Sequence, residues 1–318
     1  MLKHLLKILN GEIKRILVAV TPYHFLILLA REGATDFRGA LLITTSDIHA
    51  NTLKHFPNAL VAKKLPGPLW AKLVTYILYR LHTLPLQLLL KLRARSIEFI
   101  GVDHLFISNL LTVSQYTLIE DGSVNYLFKQ KTLNPLFRYM IRNPYGTGIR
   151  CTRILLTGIL EVPDVIANKV ERLSLKDTSH CAAIRDFFDF EGWSDGEEKG
   201  VLILTQPLSE DALCSEREKL DLYRKVLEDE DLLGTDSLVI KPHPRETTDW
   251  SKAFPMAQVL DGSVPVEVTF MSGSSFRNAI SLFSTTIYHV RAHKRIMTGT
   301  LGIPYLERRF GIIVRKEF

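Results

Sequence analysis

The sequence predicts an α/β chain of two units, each built on a parallel sheet. Three observations carry this: short β-branched runs alternate with helical stretches, the alternation restarts near the middle, and the charge reverses between the halves. Residues 1–159 hold 20 Lys+Arg against 8 Asp+Glu, while residues 160–318 hold 20 against 26. The expected division is an N-terminal unit over 1–160 and a C-terminal unit over 161–318, with a cleft between them. At 46% hydrophobic and 23% charged residues over 318 positions, the chain can bury a sizeable core and reads as folded throughout.

The N-terminal stretch MLKHLLKILNGEIKR places Leu2, Leu5, Leu6 and Leu9 on one side of a helix, interrupted by Lys3, His4 and Lys7. No small-residue cleavage site follows, so it does not read as a secretion signal. Periodicity leaves two readings open, an interfacial helix and one packed on the protein. RILVAV (15–20) is the first strand, and TPYHFLILLAREG begins a helix that Thr21 can cap, Pro22 can open and Gly33 can stop. GALLITTS (39–46), ALVAKKL (59–65), SIEFIGV (96–102) and YTLIEDG (116–122) are further strands. Residues 69–96, LWAKLVTYILYRLHTLPLQLLLKLRARS, are apolar and basic. Lys72, Arg80, His82 and Pro85 break the run, which falls short of the roughly 20 uninterrupted apolar residues of a spanning helix. Together with the N-terminal helix it provides two weak signals for peripheral contact with an anionic membrane.

After the charged stretch DFEGWSDGEEKG (189–200) the alternation restarts. VLILTQPL is a strand, SEDALCSEREKLDLYRKVLEDED a long polar helix capped by Ser209, and DSLVIKPHP a strand ending at Pro242. VPVEVTF (264–270) reads as a short helix opened by Pro265, and NAISLFSTTIYHV (278–290) as a strand running into a helix. No internal repeat competes with this organisation.

Cys151, Cys181 and Cys214 lie far apart, outside any C-x-x-C or zinc spacing, and read as buried or free thiols in a reducing compartment. The basic residues are not interleaved with aromatics in an RNA-binding pattern, which argues against nucleic acid as a partner. The chain lacks G-x-x-x-x-G-K-[ST], a complete G-x-G-x-x-G, H-E-x-x-H and G-x-S-x-G. A literal Asp-x-Asp at Asp229 and Asp231 falls in the acidic tail of the long helix, where a solvated face is the expected role.

Four segments carry candidate chemistry. LIEDG brings Glu120, Asp121 and Gly122 to the end of a buried strand, a common place for chemistry in open α/β sheets, although Asp-Gly is also ordinary turn vocabulary. IKPHPRE holds His243 between Pro242 and Pro244 at a strand end, with Lys241 and Arg245 beside it, a combination suited to an anion. In LFSTTIY, Ser284, Thr285 and Thr286 offer hydroxyls and free N–H groups at a helix start; capping and phosphate binding use the same residue types, so both readings stand. Glu267, by default an exposed surface glutamate, could accept bonds from ribose hydroxyls. Ser274 and Ser275 form a rival serine-rich loop that precedes a strand and ranks as a connection.

Taken in order, IEDG, KPHP, PVE and FSTT resemble the bacterial sialyltransferases, most closely those of glycosyltransferase family 52 that act on lipooligosaccharide. The resemblance runs from the first strand to about residue 300 and is loose outside the motifs. It implies a GT-B fold of two Rossmann-like domains with the active site in the interdomain cleft. It also implies Asp121 as the general base on the acceptor hydroxyl and His243 as the group assisting departure of CMP. Lys241 would lie near the cytosine, with Pro244 in the same motif, Glu267 would bind the ribose, and Ser284 and Thr285, with Thr286 beside them, would hold the phosphate. Thr285 stands where many relatives have Ser, and keeps the hydroxyl. Glu120, Gly122, Thr21, Ser274 and Ser275 are secondary candidates.

The expected reaction is inverting transfer of sialic acid from CMP-sialic acid to a galactose-type hydroxyl of a bacterial surface glycan, with no metal and no cofactor. Expected partners are the CMP-sugar donor, an oligosaccharide acceptor that could be lipid-linked, and an anionic membrane; a homodimer stays open. The expected location is the cytoplasm, at the inner face of the cytoplasmic membrane. The alternatives are a family 52 enzyme with another donor, such as a glucosyl nucleotide, and a non-catalytic nucleotide- or glycan-binding protein on the same scaffold.

Overall fold

The computed structural model describes residues 2–33, 36–46, 48, 50–63, 69–127, 144–175, 180–191, 193, 196–232, 237–271 and 273–318. The chain forms two compact units, Met1–Phe187 and Phe188–Phe318. The first extends beyond the division expected at 160, because the strand Val170–Arg172 completes its sheet and the helix Cys181–Phe187 packs on the helix Pro22–Glu32.

In the first unit, α1 (Leu2–Leu9) precedes β1 (Arg15–Val18) and α2 (Pro22–Glu32). Then follow β2 (Ala40–Thr45), α3 (Ala50–Leu53), β3 (Ala59–Ala62), α4 (Leu69–Leu92), β4 (Glu98–Gly101), β5 (Tyr116–Ile119), β6 (Cys151–Leu156) and β7 (Val170–Arg172). All pairs are parallel, in the order β3-β2-β1-β4-β5-β6-β7. Parallel strands need crossovers, and helices on both faces explain why β2 and β5 are buried at every position instead of alternating. Phe25, Phe37, Phe56 and Phe187 interlock on one side of the sheet. The strands stop earlier than the apolar runs suggested, and the last two residues of the 59–65 stretch lie outside the described residues.

α2 forms as its sequence dictates: Thr21 caps it, Pro22 opens it and Gly33, at φ 64°, ends it. α4 differs from expectation, since it continues through Pro85 for 24 residues. Pro85 is exposed, so the ring and the Leu81 carbonyl that it leaves without an N–H donor fall on the outer side of the helix. Its residues Leu73–Leu92 are long and apolar enough, by length and composition, to cross a membrane.

The second unit contains β8 (Glu198–Leu204), β9 (Leu238–Lys241), β10 (Gln258–Val259), β11 (Ser275–Ser281), β12 (Ala292–Met297) and β13 (Lys316–Glu317) in the order β10-β9-β8-β11-β12-β13. Among the described residues only β13 runs antiparallel. Strand periodicity divides the core. Val201 and Ile203 pack with Tyr223, Leu227 and Trp250, while Leu202 and Leu204 pack with Val266, Phe270 and Phe276 on the other side. The long helix is Glu216–Asp229, capped by Ser215 and not by Ser209, because Ser215 and Glu218 form a reciprocal capping box (2.7 and 3.3 Å).

Candidate active site

In the first sheet the chain progresses one way from β1 to β3 and the other way from β4 to β7. The loops after β1 and β4 therefore border the crevice where an open sheet hosts its chemistry. Gly101 closes β4 against β1 there: a Cβ at this position would stand 2.3 Å from Val18 O. Three neighbouring strands each deliver one side chain. His24 comes from the first turn of α2 after β1, His104 from the loop after β4, and Asp121 directly after β5.

His24 is wholly buried and occupies the position in α2's capping box that Glu or Gln usually fills. Its Nδ1 accepts the backbone N–H groups of Val20 (3.1 Å) and Thr21 (3.3 Å), and Thr21 Oγ1 accepts the His24 N–H (3.3 Å). With Nδ1 occupied as an acceptor, Nε2 carries hydrogen and donates to Asp121 Oδ1 at 2.8 Å. His104 Nε2 meets the other oxygen, Oδ2, at 3.0 Å, and its ring stacks on Tyr145. The Asp121 N–H donates to Asn125 Oδ1 at 2.6 Å, and Gly122 turns the chain at φ 61°, a conformation that explains the Asp-Gly pair. Burial works to raise the Asp121 carboxyl, but His24 and His104 outweigh it and hold the group well below the usual carboxylate range.

Glu120 turns inward. Fully buried, it accepts from Tyr23 Oη (2.7 Å), Tyr126 Oη (2.7 Å), the Thr157 N–H (2.5 Å) and Thr157 Oγ1 (2.9 Å). Burial pushes its carboxyl up against these donors. The two adjacent acids thus divide their work: Glu120 ties β5 to α2 and to the loop after β6, and Asp121, 28% exposed, faces the crevice.

The second unit builds its cluster at the carboxyl ends of β9 and β11. Lys241 is buried and donates to Pro242 O (2.8 Å) and Gly262 O (3.0 Å); burial pulls it down to about 8, opposed by Glu267, Asp261 and Glu246. The His243 N–H donates to Glu246 Oε2 at 2.6 Å, and His243 Nδ1 accepts the Arg245 N–H at 3.1 Å, which leaves the ring hydrogen on Nε2. Burial first, then Arg245 and Lys241, push His243 down to about 4, so the ring is a neutral donor at ordinary pH. Pro244 is exposed beside it. Glu246 is itself anchored on buried Lys219 (2.7 Å) and on Thr205, and Lys219 also meets Glu210 (3.0 Å).

Ser284 precedes a single 3-10 turn, Thr285–Tyr288, in place of the helix expected there, and its hydroxyl makes no capping bond. His289 at the end of this turn lies 4.0 Å from Glu267, which is buried and not surface-exposed as its default reading had it. Lys241, His243, Glu267 and the Ser284–Thr286 turn therefore form one neighbourhood. Ser274 and Ser275 stand apart, at the opposite end of β11. Sequence reading missed His24, His104, Lys219 and Glu246. The spacing from Thr21 to His24 is a capping-box signal with an unusual final residue; His104 has no local signal at all.

Residues 74–302 match Glycosyltransferase family 52. A Haemophilus influenzae protein described as uncharacterized is 36% identical over 235 residues, spanning 70% of this chain and 75% of that one. Among solved structures, the α/β-galactoside α-2,3-sialyltransferase of Photobacterium phosphoreum aligns at 13% identity and TM-score 0.47, covering 89% of this chain and 90% of that one. The GT-B domain of a Photobacterium damselae sialyltransferase aligns at 13% and 0.45, covering 87% and 88%. S. aureus MnaA, solved with UDP, reaches 0.46 at 10% identity, covering 86% and 75%, so likeness at this level does not single out a donor.

Proposed function

Since the chain belongs to glycosyltransferase family 52, and its two parallel-sheet units are those of the GT-B type, we propose that it is an inverting sialyltransferase taking CMP-sialic acid as donor. A nucleotide-sugar donor and a glycan acceptor follow from the family; the identity of the sugar is the proposal. The observations that carry it are an ionised, doubly held Asp121 in the first unit and, in the second, a neutral His243 Nε2–H donor.

In this reading Asp121 takes the proton of a galactose-type hydroxyl as its oxygen bonds to the anomeric carbon, while the bond from that carbon to the CMP phosphate breaks. His243 donates a hydrogen bond to the departing phosphate, joined by Ser284, Thr285 and Thr286; Glu267 accepts from the ribose, and Lys241 holds the His243 loop near the base. Hydroxyls, N–H groups and an imidazole are sufficient donors for one phosphate, so turnover should proceed unchanged in the presence of a chelator. Such a donor places the reaction in the cytoplasm, and a lipid-linked surface glycan as acceptor brings it to the inner face of the membrane.

The test is acceptor-dependent release of CMP from CMP-sialic acid, without metal, for the intact chain and for Asp121→Ala and His243→Ala. Both variants should lose about a hundredfold or more in rate. Release only from another nucleotide sugar would replace the donor assignment, and CMP binding without turnover would make this a binding protein.

A further inference from the structure

Ahead of β6 the chain makes a tight turn, Pro144–Thr147, closed by the Thr147 N–H on Pro144 O at 3.4 Å. Its two central residues, Tyr145 and Gly146, both have positive φ, 59° and 79°. Asn-Gly is the pair that adopts this conformation most readily, because glycine has no Cβ and asparagine tolerates the left-handed region. A bulky tyrosine in the first of these positions is an outlier, and its reason lies outside the turn.

Two side chains grip the turn from opposite sides of its backbone. Asp103, buried just after β4, accepts the Tyr145 N–H on Oδ1 at 2.7 Å, and the Gly146 N–H (2.8 Å) and the Tyr116 hydroxyl (2.9 Å) on Oδ2. Lys169 Nζ donates to Gly146 O at 2.9 Å and to Gly148 O at 3.1 Å. A buried network satisfied in this way fixes one geometry.

What the grip presents is the Tyr145 ring. It lies over the His104 imidazole, centroids 5.0 Å apart and planes 25° from parallel, while His104 Nε2 meets Asp121 Oδ2 at 3.0 Å. The charge of Asp121 reaches the phenol too: burial first, then Asp121 and Asp103, push its proton affinity up and keep it neutral. Asp103 and His104 are consecutive, so one loop both carries the imidazole and anchors the ring laid on it. Such a cover leaves the imidazole little freedom to turn about its broad χ2 torsion.

We propose that Tyr145 is a positioning residue: its ring, locked by Asp103 and Lys169, fixes the plane of His104 and through it aims Asp121 at the acceptor hydroxyl. The inference rests on the reading of Asp121 as the base.

Two replacements separate this role from a structural one. Tyr145→Asn suits the turn and removes the ring, while Tyr145→Phe keeps the ring and removes only the hydroxyl. Tyr145→Asn should fold, as circular dichroism checks, yet lose roughly tenfold in kcat with an unchanged donor KM. Tyr145→Phe should recover most of that loss. Asp103→Asn sets an amide NH2 against one of the two N–H groups of the turn, and should shift kcat in the same direction as Tyr145→Asn. Ring nitrogen NMR of the enzyme alone, with the His104 signals identified by their loss in His104→Gln, needs no substrate. The pattern of an Nε2–H bonded to Asp121 should be well defined in the intact chain and in Tyr145→Phe, and averaged in Tyr145→Asn. Absence of turnover with every nucleotide sugar would remove the base assignment, while the spectra decide separately whether Tyr145 fixes His104. An unchanged kcat in Tyr145→Asn, ring signals that do not move, a loss that Tyr145→Phe shares, or a Tyr145→Asn chain that does not fold would overturn the proposal.

Discussion

At the scale of the residue, the site turns on how Asp121 is held. His24 donates to one oxygen and His104 meets the other, so the carboxylate is fixed in position and kept ionised. A group whose proton affinity is depressed in this way stays active as pH falls through the ordinary carboxylate range. His104→Ala should therefore lower kcat roughly tenfold to a hundredfold and raise the pH at which activity is lost on acidification. The donor KM should stay unchanged, because the proposed donor contacts belong to the other unit. His104→Gln, which restores a donor, should recover part of kcat; steady-state pH profiles of the three proteins check this, and a profile that does not move would reduce His104 to packing. Asp121 was legible because an acid at a strand end beside Gly122 is a recognisable pattern. His24 and His104 were not, since their importance arises only when the loops after β1, β4 and β5 become neighbours.

At the scale of the element, the sequence told most where a local rule governs. Thr21, Pro22 and Gly33 marked the ends of α2 correctly because capping is decided within a few residues. Ser209 misled because Ser215 owns the reciprocal bond with Glu218, and the turn at Ser284 proved to be 3-10 because propensity does not fix the hydrogen-bond register of one turn. The loop carrying His243 was visible as Pro-His-Pro, but its support was not. Glu246, three residues on, takes the His243 N–H and in turn rests on buried Lys219. Glu246→Ala leaves that lysine without one carboxylate and should cost about 3 kcal/mol of stability, the scale for breaking a buried pair. Denaturant unfolding measures the loss, and CMP affinity should fall with it while the Asp121 cluster stays intact.

At the scale of the whole molecule, the alternation of elements announced two α/β units, but the boundary inferred from charge fell short of Phe187. Charge reports surfaces and not where a sheet ends. The basic bias survives the correction: residues 1–187 hold 24 Lys+Arg against 13 Asp+Glu, and residues 188–318 hold 16 against 21. Acid should destabilise the protein in two stages. His243 resists protonation when folded, with its value pushed from 6.5 to about 4, so the unfolded chain gains protons first and stability falls as pH drops from 6.5 toward 4. Glu210 acts next. Burial raises it, but the Thr247 N–H and Lys219 outweigh that and hold it at about 2, so its contribution, full above 4.5, is lost as pH falls toward 2. Melting temperatures against pH should show both stages, and His243→Asn should remove the first. Heat raises a different issue, which begins in the capping box of α2. The imidazole that steadies Asp121 is also the group that holds the first turn of that helix closed, so fraying of a single turn disarms the proposed base. On slow warming, the enzyme should fall silent while its two sheets are still intact.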